Sequence, residues 1–270
     1  MKPVDFAYER PETLAAAFEL LARDDCAVRA MAGGQSLGPM LNLRLAQPDL
    51  VVDISAIPEL KSLRSDGQEV AIGAGVTHAR LEDGAGPDRI GEILADIAGG
   101  IAYRAVRNRG TIGGSLAHAD PSADWLVCIA ALGAELVLAS KAGQRTVAAT
   151  AFMLGPFETM LQPDELLIEV RLPRLPPQAR WGYYKFCRKT GEFAQASAAV
   201  LLDPARDIER CVIGAISGPP VVIDDAHFIG DGAIEESVRR HLLASALSDD
   251  PFAIHTHAVV LRRALAKARM

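Results

Sequence analysis

The chain has 270 residues, of which 50% are hydrophobic and 23% charged, and its formal net charge is −6. This composition is typical of a globular protein with one large or two modest cores. No basic run points to a nucleic-acid backbone, and no apolar run is long enough for a secretory signal or a membrane span. We therefore expect a cytoplasmic protein.

The first two thirds of the chain mix short helical and strand patterns. Apolar periodicity and turn residues set the boundaries. In chain order, the patterns predict a helix over 13–22, a strand over 27–32, a short helix over 36–45, strands over 50–54 and 69–73, a long helix over 90–105, a buried helix over 125–132, a hairpin of strands 134–139 and 145–149, and a strand over 166–172.

Three prolines within residues 173–177 indicate an extended linker. Beyond it the pattern changes to strands followed by helices, which favours a separate small α+β domain. The predicted strands cover 182–187, 194–202 and 211–216, and the predicted helices cover 234–246 and 253–270.

Two segments carry the candidate chemistry, and each pairs two glycines with a hydroxyl residue. They are Ala-Gly-Gly-Gln-Ser-Leu at 32–37 and Arg-Gly-Thr-Ile-Gly-Gly-Ser at 109–115. Paired glycines permit positive φ and remove Cβ atoms, so successive backbone N–H groups can face an anion. Two such segments, brought together by the fold, could hold a pyrophosphate. The alternative for each segment is an ordinary Gly-Gly turn.

Other motifs argue against competing sites. Residues 70–78 begin like a dinucleotide fingerprint, but His78 occupies the third glycine position, which argues against an NAD site. His118, Asp120 and Asp124 are too loosely spaced for a metal motif. Asp124 either favours the start of the following helix or accepts a hydrogen bond from a ligand hydroxyl.

The remaining reactive residue types form no recognisable catalytic set. The four cysteines, at 26, 128, 187 and 211, are isolated and lack the spacing of a metal or iron–sulfur site. No nucleophile can be paired with a base from its spacing. We therefore predict no catalytic residue and no metal ligand in this chain.

The glycine segments and their surroundings resemble the FAD-binding medium subunit of the molybdenum hydroxylases, the carbon monoxide dehydrogenase and xanthine dehydrogenase family. The resemblance covers nearly the whole chain and rests on residues 3–11, 32–45, 107–115 and 117–121. It implies an α+β fold, with a two-lobed FAD-binding domain of the PCMH type over residues 1–175, split near residue 55. A C-terminal domain of three strands and three helices would cover 176–270, with the third helix within 221–228.

The resemblance also implies non-covalent FAD and its binding residues. The two glycine segments would grip the pyrophosphate, and Lys185 would stabilise negative charge on the reduced ring; the alternative for Lys185 is an ordinary exposed strand residue. The implied FAD-binding residues are Arg29, Ala30, Met31, Ala32, Gly33, Gly34, Gln35, Ser36, Ile101, Thr111, Ile112, Gly113, Gly114, Ser115, Asp124, Leu167 and Lys185.

The implied role is electron transfer within a larger oxidoreductase. A large subunit would carry the molybdenum cofactor and a small subunit two [2Fe–2S] clusters, in a dimer of heterotrimers, with electrons leaving FAD for an external acceptor. Two alternatives remain: a self-contained FAD-dependent oxidoreductase of the same fold, and an assembly module without flavin. We also predict that Gly113→Val abolishes FAD retention and leaves the fold largely intact, because the new side chain would occupy the space of the pyrophosphate.

Overall fold

The computed structural model describes residues 1–224, 233–243 and 250–270. The N-terminal region forms a parallel sheet in the order β1-β3-β2, so the carboxyl ends of its strands share one edge. Apolar side chains of α1 and β3 form its core, together with Ile57 and Leu60. Its elements are β1 (Ala7–Glu9), α1 (Leu14–Leu21), β2 (Val28–Met31), α2 (Leu37–Asn42) and β3 (Leu50–Asp53), followed by 3-10 turns at Ile54–Ala56 and Glu59–Lys61.

The second region forms an antiparallel sheet in the order β4-β5-β10-β6-β7. Helices α4 and α7 supply much of its core, in which Trp125 is fully buried. Its elements are β4 (Leu63–Ser65), β5 (Glu69–Gly73), α3 (His78–Glu82), α4 (Asp88–Gly99), α5 (Arg104–Arg107), α6 (Ile112–His118), α7 (Asp124–Ala131), β6 (Glu135–Ser140), β7 (Gly143–Ala148), α8 (Ala149–Phe152), β8 (Met153–Gly155), β9 (Glu158–Thr159) and β10 (Leu166–Pro173).

The C-terminal region is an antiparallel sheet covered by helices. Its elements are β11 (Arg180–Phe186), β12 (Ala196–Asp203), β13 (Ile208–Gly214), β14 (Val221–Asp224), α9 (Ile234–Leu243) and α10 (Pro251–Arg269). Helix α10 passes close to β11, since a Cβ on Gly182 would lie 2.0 Å from the Ala264 carbonyl oxygen. Alternate residues of β12 face opposite cores: Ala198 and Val200 face α10, whereas Ala199 joins the core around α7. Burial on both faces explains the continuous apolar run of this strand.

Three element predictions are corrected by the structure. The helix predicted over 90–105 ends at Gly99, and Ala102 takes a left-handed conformation (φ 44°) before α5 begins. The second glycine segment, for which no helix was predicted, contains the start of α6 at Ile112. The C-terminal sheet has a fourth strand at Val221–Asp224, where the third helix was predicted to start. Residues 225–228 of that predicted helix, and 244–246 of the next, lie outside the described residues.

Candidate functional site

The two glycine segments meet in the structure, as the sequence predicted. A Cβ on Gly33 would lie 1.9 Å from the Arg109 carbonyl oxygen and 2.9 Å from the Gly110 Cα. The Arg109 side chain also donates from Nε to the Gly33 carbonyl, at 3.3 Å. Only glycine fits at this crossing, because any Cβ would overlap backbone atoms.

A cavity of about 860 Å³ opens beside the crossing, within the usual size range of a small-molecule site. The fold gathers almost all of the predicted cofactor-binding residues around it. Ile112 and Lys185 are the two that do not line it. Those that do are Arg29, Ala30, Met31, Ala32, Gly33, Gly34, Gln35, Ser36, Ile101, Thr111, Gly113, Gly114, Ser115, Asp124 and Leu167.

The first glycine segment presents free backbone donors. Within the described residues, the N–H groups of 33–36 donate to no protein acceptor. Gly34 has φ +71°, a conformation that favours glycine and turns the backbone between β2 and α2. The Ser36 hydroxyl makes no capping hydrogen bond. Adjacent amides of this kind, together with a hydroxyl, are suited to hold an anion.

The second segment differs from the prediction, because its amides are already used within the protein. The hydroxyls of Thr111 and Ser115 can still donate to a ligand, although Thr111 Oγ1 also accepts a hydrogen bond within the segment. The amide acceptors are the Val76 carbonyl for Ile112 (3.1 Å), the Ala74 carbonyl for Gly113 (2.9 Å), Thr111 Oγ1 for Gly114 (3.0 Å) and the Thr111 carbonyl for Ser115 (3.0 Å). The Ile112 side chain is fully buried in the core, which is why it does not reach the cavity.

Residues 73–78, which resembled the start of a dinucleotide fingerprint, support the second segment. The Gly75 N–H donates to the Leu60 carbonyl at 2.7 Å, and a Cβ on Gly73 would lie 2.3 Å from the same oxygen. A Cβ on Gly113 would lie 2.3 Å from the Ala74 Cβ. These glycines therefore serve close backbone packing, and a side chain on Gly113 would point at Ala74 and not at a pyrophosphate.

A buried His78–Trp125 pair, which the sequence did not single out as functional, lies behind the second segment. Trp125 donates from Nε1 to His78 Nδ1 at 3.2 Å. His78 is only 4% exposed and lines the cavity, and a Cβ on Gly110 would lie 3.1 Å from its Nε2. Burial, aided by the charge of Arg107, lowers the pKa of His78 to about 4. The imidazole is therefore neutral near pH 7, with its proton on Nε2.

Asp124 lines the cavity and is held by two residues of β11. Tyr183 donates its hydroxyl to Asp124 Oδ1 at 2.7 Å, and the Lys185 ammonium lies 2.8 Å from the same oxygen. Lys185 also donates to the Gly100 carbonyl at 2.9 Å. Burial, together with the Asp124 charge, raises the pKa of Tyr183 well above its usual value. Lys185 thus contacts a cavity residue and not the cavity itself.

The turn that carries Ile101 is fixed by a half-buried arginine. Arg107 donates to the carbonyls of Ile101 (2.8 Å) and Ala102 (2.9 Å) and pairs with Glu82 at 2.8 Å. The Ala102 N–H donates to the Gly191 carbonyl, and a Cβ on Gly191 would lie 2.4 Å from the Ala102 carbonyl oxygen. This bridge joins the cavity wall to the loop between β11 and β12.

Among residues 1–224, 233–243 and 250–270, no three His, Cys, Asp or Glu side chains are grouped as metal ligands. His118 packs against Phe157 instead, with their ring centroids 5.1 Å apart. All four cysteines are free thiols. None of the described helices is long and apolar enough to cross a membrane.

Comparison with known proteins identifies the family of this chain. The family described as "FAD binding domain in molybdopterin dehydrogenase" matches residues 4–175. The 6-hydroxypseudooxynicotine dehydrogenase complex subunit alpha of Paenarthrobacter nicotinovorans is 36% identical over 263 residues, which cover 96% of this chain and 85% of that protein. The carbon monoxide dehydrogenase medium chain of Hydrogenophaga pseudoflava is 40% identical over 202 residues, covering 75% and 70%.

Solved structures show the same architecture over the whole chain. Carbon monoxide dehydrogenase from Hydrogenophaga pseudoflava superposes with a TM-score of 0.86 at 32% identity, covering 100% of this chain and 99% of that one. Quinoline 2-oxidoreductase from Pseudomonas putida 86 gives a TM-score of 0.84 at 30% identity, covering 99% and 98%.

Proposed function

The chain belongs to the family of FAD-binding domains in molybdopterin dehydrogenases, and from this premise we propose that it is an electron-transfer subunit. It receives electrons from [2Fe–2S] clusters of a partner subunit and passes them through FAD to an external acceptor. Its relatives are subunits of dehydrogenases and hydroxylases. The chain is accordingly an oxidoreductase subunit, and its cofactor is FAD.

The observation that carries this proposal is the row of free amides at 33–36, on residues that line the cavity together with Thr111 and Ser115. A pyrophosphate carries two negative charges and needs several donors, and these groups supply them without a dedicated lysine. The exposed Arg29 also lines the cavity and adds positive charge at its rim. We assign phosphate binding mainly to the first segment, and hydroxyl contacts to the second.

The other cavity residues have distinct roles in this proposal. Asp124 accepts a hydrogen bond from a hydroxyl of the cofactor, and Lys185 holds that carboxylate in place. Ile101 and Leu167 provide apolar wall, and Leu167 is itself almost fully buried. Bound FAD supplies the capacity to accept and release electrons singly or in pairs. The residues of this chain bind FAD and hold it in position.

The proposed partners follow from the names of the relatives, which describe a "medium chain" and a "medium subunit" of larger enzymes. We propose a large subunit with the molybdenum cofactor and a small subunit with [2Fe–2S] clusters, assembled as a dimer of heterotrimers. The FAD-binding domain would cover residues 1–175 in two lobes, and the C-terminal domain residues 176–270.

Co-expression with candidate partner subunits tests this function. The expected product is a hetero-oligomer in which an organic substrate reduces FAD only when all three subunits are present. The control is this chain alone, which should bind FAD but fail to be reduced by the substrate. Turnover of an organic substrate by the isolated chain would instead support a self-contained FAD-dependent oxidoreductase, and absence of bound flavin would support an assembly module.

Gly33→Ala tests the proposed phosphate contact. The new Cβ would lie 1.9 Å from the Arg109 carbonyl oxygen and must push the two segments apart. We expect the FAD dissociation constant to rise at least tenfold, which corresponds to a loss of about 1.4 kcal/mol of binding free energy. Isothermal titration of the apo-protein with FAD measures this. Unchanged affinity would contradict the role given to the first segment.

A further inference from the structure

We propose that Tyr183 is a positioning residue for the cofactor: it orients Asp124 so that the second carboxylate oxygen accepts a hydrogen bond from a hydroxyl of FAD. This inference rests on the proposed function and adds a residue of the C-terminal region to the site. Tyr183 lies on β11, whereas Asp124 begins α7, so the contact joins regions that are 59 residues apart in the chain.

The two oxygens of Asp124 have different surroundings. Oδ1 receives both the Tyr183 hydroxyl at 2.7 Å and the Lys185 ammonium at 2.8 Å. No donor in the described part of the chain contacts Oδ2, and Asp124 lines the cavity. Asp124 is only 5% exposed, and a carboxylate oxygen in such surroundings that has no protein donor takes its hydrogen bond from a ligand or from water. Oδ2 is therefore the acceptor that the cavity offers.

The charge of Asp124 restricts what it can contact. A carboxylate only accepts hydrogen bonds, so it selects hydroxyl or N–H groups and repels phosphate oxygens. FAD carries hydroxyls on both of its sugar chains, and its phosphates would lie nearer the free amides of 33–36. The two glycine segments and Asp124 thus divide the cavity into an anion-binding part and a part that recognises hydroxyls.

Tyr183 is better suited than Lys185 to fix the direction of this carboxylate. Its ring is packed in the core around α7 and is 7% exposed, so the hydroxyl has a defined position. Lys185 neutralises the charge, but its ammonium is shared with the Gly100 carbonyl. A phenylalanine would fill the same core space, so the hydroxyl itself requires an explanation.

The adjacent Tyr184 offers a matched control. Its hydroxyl accepts a hydrogen bond from Arg263, and its ring packs against the core beneath α10, away from Asp124. Tyr184→Phe therefore removes the same group from the neighbouring residue without touching the proposed site. Apo-protein of the full chain, titrated with FAD, gives the dissociation constant for each variant.

We expect Tyr183→Phe to raise the FAD dissociation constant about tenfold, and Tyr184→Phe to leave it within about twofold. A double-mutant cycle with Asp124→Asn separates positioning from general packing. If Tyr183 acts through Asp124, Tyr183→Phe has no further effect in the Asp124→Asn background. Asp124→Glu replaces Asp124→Asn in the cycle if the latter does not fold.

Two results would overturn the inference. One is an unchanged FAD dissociation constant in Tyr183→Phe. The other is a double variant in which the losses of binding free energy from Tyr183→Phe and Asp124→Asn add in full, because a purely structural role of Tyr183 would produce this additivity. Both leave the proposed function intact as long as the unsubstituted apo-protein binds FAD. Failure of that protein to bind FAD would instead contradict the proposed function.

Discussion

Individual glycines in this protein have different physical roles, although their sequence context is similar. Gly33 allows two backbone segments to cross, Gly34 adopts a positive φ, and Gly113 allows α6 to approach Ala74. A Cβ on Gly38, in contrast, would have no atom within 4 Å of it. The consequence of adding a methyl group should therefore differ among them in a way that stability and binding measurements can separate.

Gly113→Ala should destabilise the apo-protein by about 1–3 kcal/mol, because overpacking of a buried contact forces backbone movement. The new Cβ would meet the Ala74 Cβ at 2.3 Å and the Ala74 carbonyl oxygen at 2.7 Å. Urea denaturation measures the loss. From the sequence alone, Gly113→Val is expected to leave the fold largely intact and to abolish only FAD retention. The same contact corrects this expectation, because the larger valine side chain meets Ala74 at least as severely as alanine does.

Gly38→Ala is the control for that substitution, because it adds the same methyl group in helix α2, where space is open. We expect no loss of stability, and a gain of up to about 1 kcal/mol, since alanine restricts the unfolded chain. Equal stability of Gly113→Ala and the unsubstituted protein would contradict the packing role of Gly113.

The buried His78 should make stability depend on pH in the acid range. Its pKa is about 4 in the folded protein and 6.5 ordinarily, so the unfolded chain binds the proton first as pH falls. Stability is therefore unaffected by His78 above pH 6.5 and decreases between pH 6.5 and 4. A shift of this size corresponds to roughly 3 kcal/mol.

His78→Gln provides the comparison, because the glutamine carbonyl can still accept the hydrogen bond from Trp125. Denaturation of the apo-protein at several pH values should show a shallower decrease between pH 6.5 and 4 in the variant. Identical pH profiles would show that His78 is not buried in its neutral form.

At the scale of elements, the second glycine segment is held by a neighbouring turn. Thr77 and Thr111 pair as an isolated antiparallel bridge, with His78 N–H donating to the Gly110 carbonyl at 2.9 Å. The segment is therefore part of a backbone network, and its amides are unavailable to a ligand. The first segment crosses the second at Gly33, but no acceptor among the described residues takes up its amides at 33–36, so these donors stay free.

Helix α5 is short, and its main contribution is to place Arg107 beneath the turn at Ile101 and Ala102. Arg107→Gln should release this turn from the Gly191 loop, because two carbonyls lose their donor. We expect hydrogen exchange at the Ala102 amide to become about tenfold faster. Exchange measured by mass spectrometry on peptides covering 98–104 tests this.

Arg104→Gln is the matched control, since Arg104 also pairs with Glu82 but is 47% exposed and reaches neither carbonyl. Exchange at Ala102 should stay near that of the unsubstituted protein. Similar acceleration in both variants would indicate that the ion pair, and not the carbonyl contacts, fixes the turn.

At the scale of the whole molecule, the C-terminal sheet completes the core of the second region. Tyr183, Ala199 and Val212 belong to the same buried cluster as Trp125. Strands β12 and β13 pack directly on α7, whose residues are buried all round. The proposed boundary at residue 175 therefore divides the chain between two sheets but cuts through one hydrophobic core.

A chain truncated after residue 175 should not yield a stable FAD-binding domain. Its α7 would expose apolar surface that β12 and β13 cover, and Asp124 would lose both Tyr183 and Lys185. We expect aggregation, or a fragment with weak thermal cooperativity and little bound flavin, measured by circular dichroism and absorbance. A soluble fragment that binds FAD like the full chain would contradict this.

The sequence by itself determined the main elements and the two glycine segments, because apolar periodicity and paired glycines are local signals. Strands β5 and β10 and helix α7 follow from such signals. The short strands β1 and β4 and the hairpin of β8 and β9 were not predicted, since three or fewer residues carry no periodicity. Strand β14 was also missed, because four residues resemble a helix start equally well.

Only the tertiary structure decided how the site is built. Which amides are free depends on acceptors from distant segments, such as the Val76 carbonyl for Ile112. The partners of Asp124 and the burial of His78 likewise come from contacts across 59 and 47 residues of chain. The local sequence shows which polar and apolar groups a segment contains. Whether such a group is free to bind a ligand or is used in packing depends on hydrogen bonds and burial by residues far away in the chain.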